Sequence, residues 1–193
     1  MQTLKIGILK DMHKQLKKHF FLAKKDIPVW EYTRGMFLET HYEMEDFKGE
    51  IKCGDRWYAA YDSALVYDPY NLEVLNNYSY FLSLDEEDLQ RALDMSKKTV
   101  EAEPENDTFL DTYAWILFKM ERYEEAKAYA EKIISLGVEL SPVVLHHIGD
   151  IYAKCGDTEK AVLYWQKACD AGDETKILKK KIRKRRYYRG AKY

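Results

Sequence analysis

The chain of 193 residues has few of the residue types that shape tight turns: nine glycines and four prolines. An all-β chain needs many such turns, so this scarcity argues against that class. No apolar run approaches the roughly 20 residues that span a bilayer as a helix, so no transmembrane helix is expected. The three cysteines are odd in number, widely spaced and without a CxxC pair, which favours reduced thiols over a disulfide framework.

The first residues do not have the pattern of a secretory signal. Lys5, Lys10 and Asp11 interrupt the apolar positions, and no small-residue cleavage site follows. The chain as it stands is therefore expected in the cytoplasm. If it is a fragment of an exported protein, the periplasm or the cell surface is expected instead.

Charge is abundant but segregated, although the formal net charge is only -2. Residues 1–25 contain seven lysines and one aspartate, and residues 176–193 contain ten basic residues and no acidic one. The residues between are consequently strongly acidic. Such a chain attracts cationic partners to its middle and anionic partners to its ends, or folds its ends onto its own body.

Three similar segments recur at equal intervals of 35 residues: LNNYSYFL, LDTYAWIL and LHHIGDIY, which begin at Leu75, Leu110 and Leu145. Each segment has a small residue at the same place, and a second small residue follows 12 or 13 positions later. Two antiparallel helices approach closely only where neither carries a bulky side chain, so the pattern predicts tandem helix–turn–helix units. The small pairs are Ser79 with Ala92, Ala114 with Ala126, and Gly149 with Ala161.

These units resemble tetratricopeptide repeats, which are helix–turn–helix modules of about 34 residues. The best match is LHHIGDIYAKCGDTEKAVLYWQKACDAG, and FLDTYAWILFKMERYEEAKAYAEKII fits nearly as well. The chain is most similar to the C-terminal regions of bacterial tetratricopeptide arrays. The resemblance implies an all-α fold: an α-solenoid with an N-terminal helical cap and a basic C-terminal capping helix.

Two interpretations of the N-terminal helix remain open. It caps the first repeat, or it docks as a basic amphipathic helix on an anionic membrane or a partner. The predicted organisation is a helical region over 1–48, which includes a possible degenerate half-repeat, a degenerate repeat over 49–71, three repeats over 72–172 (about 72–106, 107–141 and 142–172), and a basic capping helix with a tail over 173–193.

No motif for catalysis or for nucleotide phosphates is present: GxxxxGK, GxGxxG and GxSxG patterns are all missing. His146 and Asp150 share one helix face, but without a third metal ligand a His–Asp hydrogen bond is expected there. The carboxylates are scattered and indicate no acid/base pair. We therefore expect no enzyme activity, metal or cofactor.

The resemblance implies a binding groove, because the first helices of tetratricopeptide repeats line a concave surface that receives a peptide or helix. The predicted function is therefore non-catalytic protein–protein interaction, as an adaptor or scaffold for a neutral or cationic partner. Trp115 and Tyr80 are the expected apolar contacts, and Asp111 and Asp150 the expected partners of cationic groups. The predicted groove residues are Asn76, Tyr80, Asp111, Trp115, Lys119, His146, Asp150 and Lys154.

A second function remains open, because cations interleaved with tyrosines are typical of RNA- or phosphate-binding segments. The same composition fits a solvated cap, and self-association through exchanged ends is a third possibility. The cations concerned are Lys179, Lys180, Lys181, Arg183, Lys184, Arg185 and Arg186.

Overall fold

The structure, a computed structural model, describes residues 58, 61–62, 64–66, 68–86 and 88–189. The expected helical region over 1–48 and the first part of the expected degenerate repeat lie outside the described residues. All regular secondary structure in the described part of the chain is helical. None of the helices described there is long and apolar enough to cross a membrane.

The chain divides into two compact units, residues 1–78 and 79–193, and the division lies within helix α1 (Leu72–Asp85). In the first unit Tyr78 stacks with Tyr58 and Tyr61, with ring centroids 5.5 and 5.2 Å apart. The Tyr78 hydroxyl donates to Asp62 at 3.1 Å. Packed aromatic rings thus form part of the core of the described residues of this unit, beside Ala64, Val74 and Leu75.

Six further helices follow in the described residues of the second unit, and each packs against the next along the chain. The first helices of successive hairpins, α3 and α5, also pack against each other. This all-helical arrangement confirms the fold class expected from the sequence. The helices are α2 (Leu89–Ala102), α3 (Asp107–Lys119), α4 (Tyr123–Ser135), α5 (Pro142–Lys154), α6 (Thr158–Asp170) and α7 (Lys176–Lys184).

Polar caps begin the odd-numbered helices of this unit. The Asn106 side chain accepts from two backbone N–H groups of α3, Ser141 caps α5 with Pro142 in its first turn, and Thr175 caps α7. Helices α1, α3, α5 and α7 begin 35, 35 and 34 residues apart. Helix α7 therefore begins where the first helix of another hairpin would begin.

Small side chains lie at the helix crossings, as the repeat pattern predicts. Ala114, Ala126 and Ala161 have no exposed surface. At Gly149 an added Cβ would lie only 2.3 Å from Cδ1 of the buried Trp165. The helices α5 and α6 can therefore approach this closely only with glycine at that position.

Candidate functional site

The candidate site is the surface of α3, α5 and residues 79–86, called here the first-helix surface. Trp115, expected to offer its ring to a partner, is buried in it with 8% of its surface exposed. Its ring stacks on His147 at 3.8 Å and on Phe118 at 4.8 Å between centroids. Its Nε1 has no hydrogen-bond partner in the described part of the chain. These contacts place Trp115 in the packing between repeats.

Asp111 is also buried, because its partner comes from the next hairpin. His147 Nδ1 lies 2.9 and 3.2 Å from the two carboxylate oxygens of Asp111, and both residues are more than nine-tenths buried. The expected contact of Asp111 with a cationic partner is thus replaced by an internal one. Sequence reasoning missed His147 because it does not share the repeat position of Asp111 and lies 36 residues further on.

Asp150 receives its cation from the chain itself. Nζ of Lys181 in α7 donates to both Asp150 oxygens at 2.6 Å, and Trp165 Nε1 donates to Oδ1 at 2.9 Å. Asp150 and Lys181 each have 3% of their surface exposed. Two expectations are corrected: Asp150 does not face an open groove, and Lys181 does not belong to the exposed basic tail. The reason is the position of α7, which brings Lys181 onto the end of the last hairpin.

His146 joins the same buried group, but not by the expected bond to Asp150, whose Oδ1 lies 3.9 Å away. Its Nδ1 donates to Asp173 at 2.7 Å, and its Nε2 lies 2.8 Å from Lys181 Nζ. An ammonium group can only donate, so Nε2 is the acceptor and the proton is assigned to Nδ1. Burial lowers the pKa of His146, against the opposing effect of Asp150, and Lys181 lowers that pKa further.

The Lys181 ammonium thus occupies the position in which a bound cation would neutralise Asp150. Burial lowers the pKa of Lys181, and the neighbouring Asp150 opposes that shift. Within the described ranges, no group of three or more His, Cys, Asp and Glu side chains is arranged to hold a metal ion. The Asp150–Lys181 contact is an internal ion pair.

The remaining predicted groove residues differ in how far solvent reaches them. Lys154 is exposed and Tyr80 is half-buried, with its ring 6.3 Å from that of His147. Lys119 lies over the Trp115 ring at 5.2 Å. In the first unit, Asn76 is buried and donates to Asn77 at 3.3 Å.

The structure adds two residues that sequence reasoning did not select, Tyr187 and Arg189. The chain turns at Arg185, whose φ is 50°, and continues without regular structure. The Tyr187 ring packs edge-on against Phe118 with centroids 5.7 Å apart, and Arg189 donates to Glu86. Burial raises the pKa of Tyr187 to about 12.

The other predicted tail cations lie on the exposed side of α7 and the turn after it. Arg185 donates to Glu159 of α6, and Lys180 and Arg186 lie over the Tyr188 ring at 4.1 and 4.8 Å. Their role toward nucleic acid or phosphate stays a prediction. The exposed cations are Lys179, Lys180, Arg183, Lys184, Arg185 and Arg186.

Residues 109–136 and 143–171 match the family model of the tetratricopeptide repeat. No curated protein sequence matches the chain significantly.

Solved structures show the same fold. YrrB, described as a tetratricopeptide repeat protein with an unusual peptide-binding site, is 22% identical with a TM-score of 0.54, and the match covers 64% of this chain and 62% of YrrB. PilF of Pseudomonas aeruginosa is 20% identical with a TM-score of 0.64, over 94% of this chain and 78% of PilF. TTC0263 of Thermus thermophilus is 12% identical with a TM-score of 0.65, over 96% and 98% of the two chains.

Proposed function

Because residues 109–136 and 143–171 are tetratricopeptide repeats, we propose that this chain is a non-catalytic adaptor that binds a segment of another protein on its first-helix surface. The observation that carries the proposal is the set of accessible side chains on residues 79–86, α3 and α5, which includes Tyr80, Lys119 and Lys154. A structure of the same fold, YrrB, is described as having a peptide-binding site, which supports this use of the fold.

The chemistry of the surface differs from that expected from the sequence. Asp111 is in contact with His147 and Asp150 is paired with Lys181 within the chain, so they are not the groups that select a partner. The accessible groups are an aromatic ring, the two lysines and the carboxylate of Glu86, whose side chain is 21% exposed. A partner with both an aromatic and a charged side chain fits this set, because aromatic anchors dominate binding energies at interfaces.

The proposal is tested by placing a photoreactive phenylalanine analogue at Tyr80 of the full chain and irradiating it in a lysate of the native cell. We expect a discrete cross-linked protein at this position. The matched control carries the analogue at Tyr129, a half-buried tyrosine of the second helix α4. A partner that cross-links at position 129 and not at position 80 would contradict binding on the first-helix surface.

A further inference from the structure

The first-helix surface already holds a segment of its own chain, the residues that follow α7. Tyr187 contacts Phe118 at the end of α3, and Lys154 at the end of α5 lies over the Tyr187 ring at 4.9 Å. Lys154 also lies over the Tyr123 ring at 5.1 Å, so its ammonium group is between two aromatic rings. These residues form a binding position for one aromatic ring.

A second contact lies two residues further along the segment. Arg189 donates to the carboxylate of Glu86, which Lys119 also contacts at 3.2 Å. The hydrogen bond from Arg189 is the main cause that holds the pKa of Glu86 below its usual value. Glu86 is therefore an ionised anchor for a guanidinium group.

The residue between these two contacts faces the other way. Tyr188 lies against Lys180 and Arg186, which belong to α7 and the turn after it. Side chains that alternate in direction are the mark of an extended backbone, in which residues two apart share a side. Part of the first-helix surface is thus contacted by an extended segment that presents a tyrosine and, two residues on, an arginine.

We infer that this surface recognises extended segments with the pattern Tyr-x-Arg, and that Tyr187 and Arg189 are an internal occupant which an external partner of the same pattern must displace. The inference rests on the proposed function, since it names the partner class and the regulation of the same surface. The tail is tethered to α7, and a short tether gives a local concentration on the order of millimolar. An external segment therefore binds only when its concentration and affinity are high enough to displace the tail, or when the tail has left the surface.

The probe is a fluorescent peptide with the sequence of residues 183–189, RKRRYYR, with blocked ends. Its affinity is measured by anisotropy against the full chain, the double variant Tyr187→Ala/Arg189→Ala and the matched control Tyr188→Ala. We expect roughly tenfold tighter binding to the double variant than to the wild type, because one aromatic contact and one ion pair no longer compete. The control should bind like the wild type.

Two further variants locate the binding. Adding Glu86→Arg to the double variant should remove tight binding of RKRRYYR. A peptide of equal charge in which the last two residues are exchanged, RKRRYRY, should bind the double variant as weakly as RKRRYYR binds the wild type, because no arginine then lies two residues after a tyrosine.

Equal affinity of the wild type and the double variant would overturn the inference, and so would tight binding that survives Glu86→Arg. A wild-type dimer that dissociates on Arg189→Ala, seen by light scattering, would also overturn it, because the tail would then dock on a second copy.

If a partner cross-links at Tyr80 equally in the wild type and the double variant, the competition fails while the proposed function stands. If the peptides behave as expected but nothing cross-links, the proposed function fails while the tail site stands.

Discussion

At the scale of single residues, the buried charges are what the sequence does not reveal. Asp150 sits on a helix position that resembles an open groove, and Lys181 sits in a run of cations that resembles a solvated tail. Both side chains are buried because they contact each other, although they lie 31 residues apart in the chain. A periodic pattern or a composition describes one helix at a time, so it does not predict a contact between side chains of two different helices.

Replacing Lys181 by Met should lower the free energy of unfolding by about 3–5 kcal/mol, because a buried carboxylate is then left without its cation. Urea denaturation followed by circular dichroism measures the loss. The neighbouring exposed lysine supplies a control, since Lys180→Met should change stability by less than about 0.5 kcal/mol. Adding Asp150→Asn to Lys181→Met should recover part of the loss. Equal effects of Lys181→Met and Lys180→Met would show that the pair contributes no stability.

At the scale of helices, the sequence predicted the hairpins well and the path after them poorly. The 35-residue interval and the paired small residues follow from a local requirement, because the two helices of a hairpin must approach each other closely. The structure has buried small side chains at these places. The path from Arg185 to Arg189 has no such periodic requirement. It depends on the Phe118 ring and the Glu86 carboxylate, which lie far away in the chain.

The crossing of α5 and α6 predicts whether the substitution Gly149→Ala raises or lowers the free energy of unfolding. Helix propensity alone would make Gly149→Ala stabilising by about 1 kcal/mol. The Trp165 ring leaves no room for the added methyl group, so we expect instead a loss of about 1–3 kcal/mol. Chemical denaturation decides between them, and a gain in stability would show that α5 and α6 do not approach as closely as the structure has them.

At the scale of the whole chain, the fold class and the repeat identity were predictable because stacking units must repeat their apolar pattern. The segregation of charge was also evident from the sequence, but the contacts that the charged residues make were not. Two of the tail cations fold onto acidic groups of the same unit, Arg185 onto Glu159 and Arg189 onto Glu86. Any of these cations can be attracted to any nearby carboxylate, so the sequence alone does not show which ion pairs form.

Stability should depend on pH through His146, which Asp150, Asp173 and Lys181 face. Its pKa is lower in the folded chain than the usual value of 6.5, so the unfolded chain binds more protons between the two values. The free energy of unfolding should therefore fall as pH decreases from about 7.5 to about 5.5, by roughly 1.4 kcal/mol for each unit of difference between the two pKa values. The hydrogen bonds that lower the pKa of Asp173 act only in stronger acid, below the range tested.

The matched variant is His146→Asn, whose amide can still donate to Asp173 and accept from Lys181. Denaturation at several pH values should show a shallower dependence in this variant than in the wild type. An unchanged slope would assign the pH dependence to other groups.

The position of α7 also limits how such an array can grow during evolution. A tandem duplication of the last hairpin would place a second copy of α5 where α7 now packs. The aspartate of the first copy would then meet the histidine pair of the second copy instead of a lysine. The new junction would contain an ion pair only when a histidine is protonated, so an added hairpin would give an array whose internal cohesion varies with acidity.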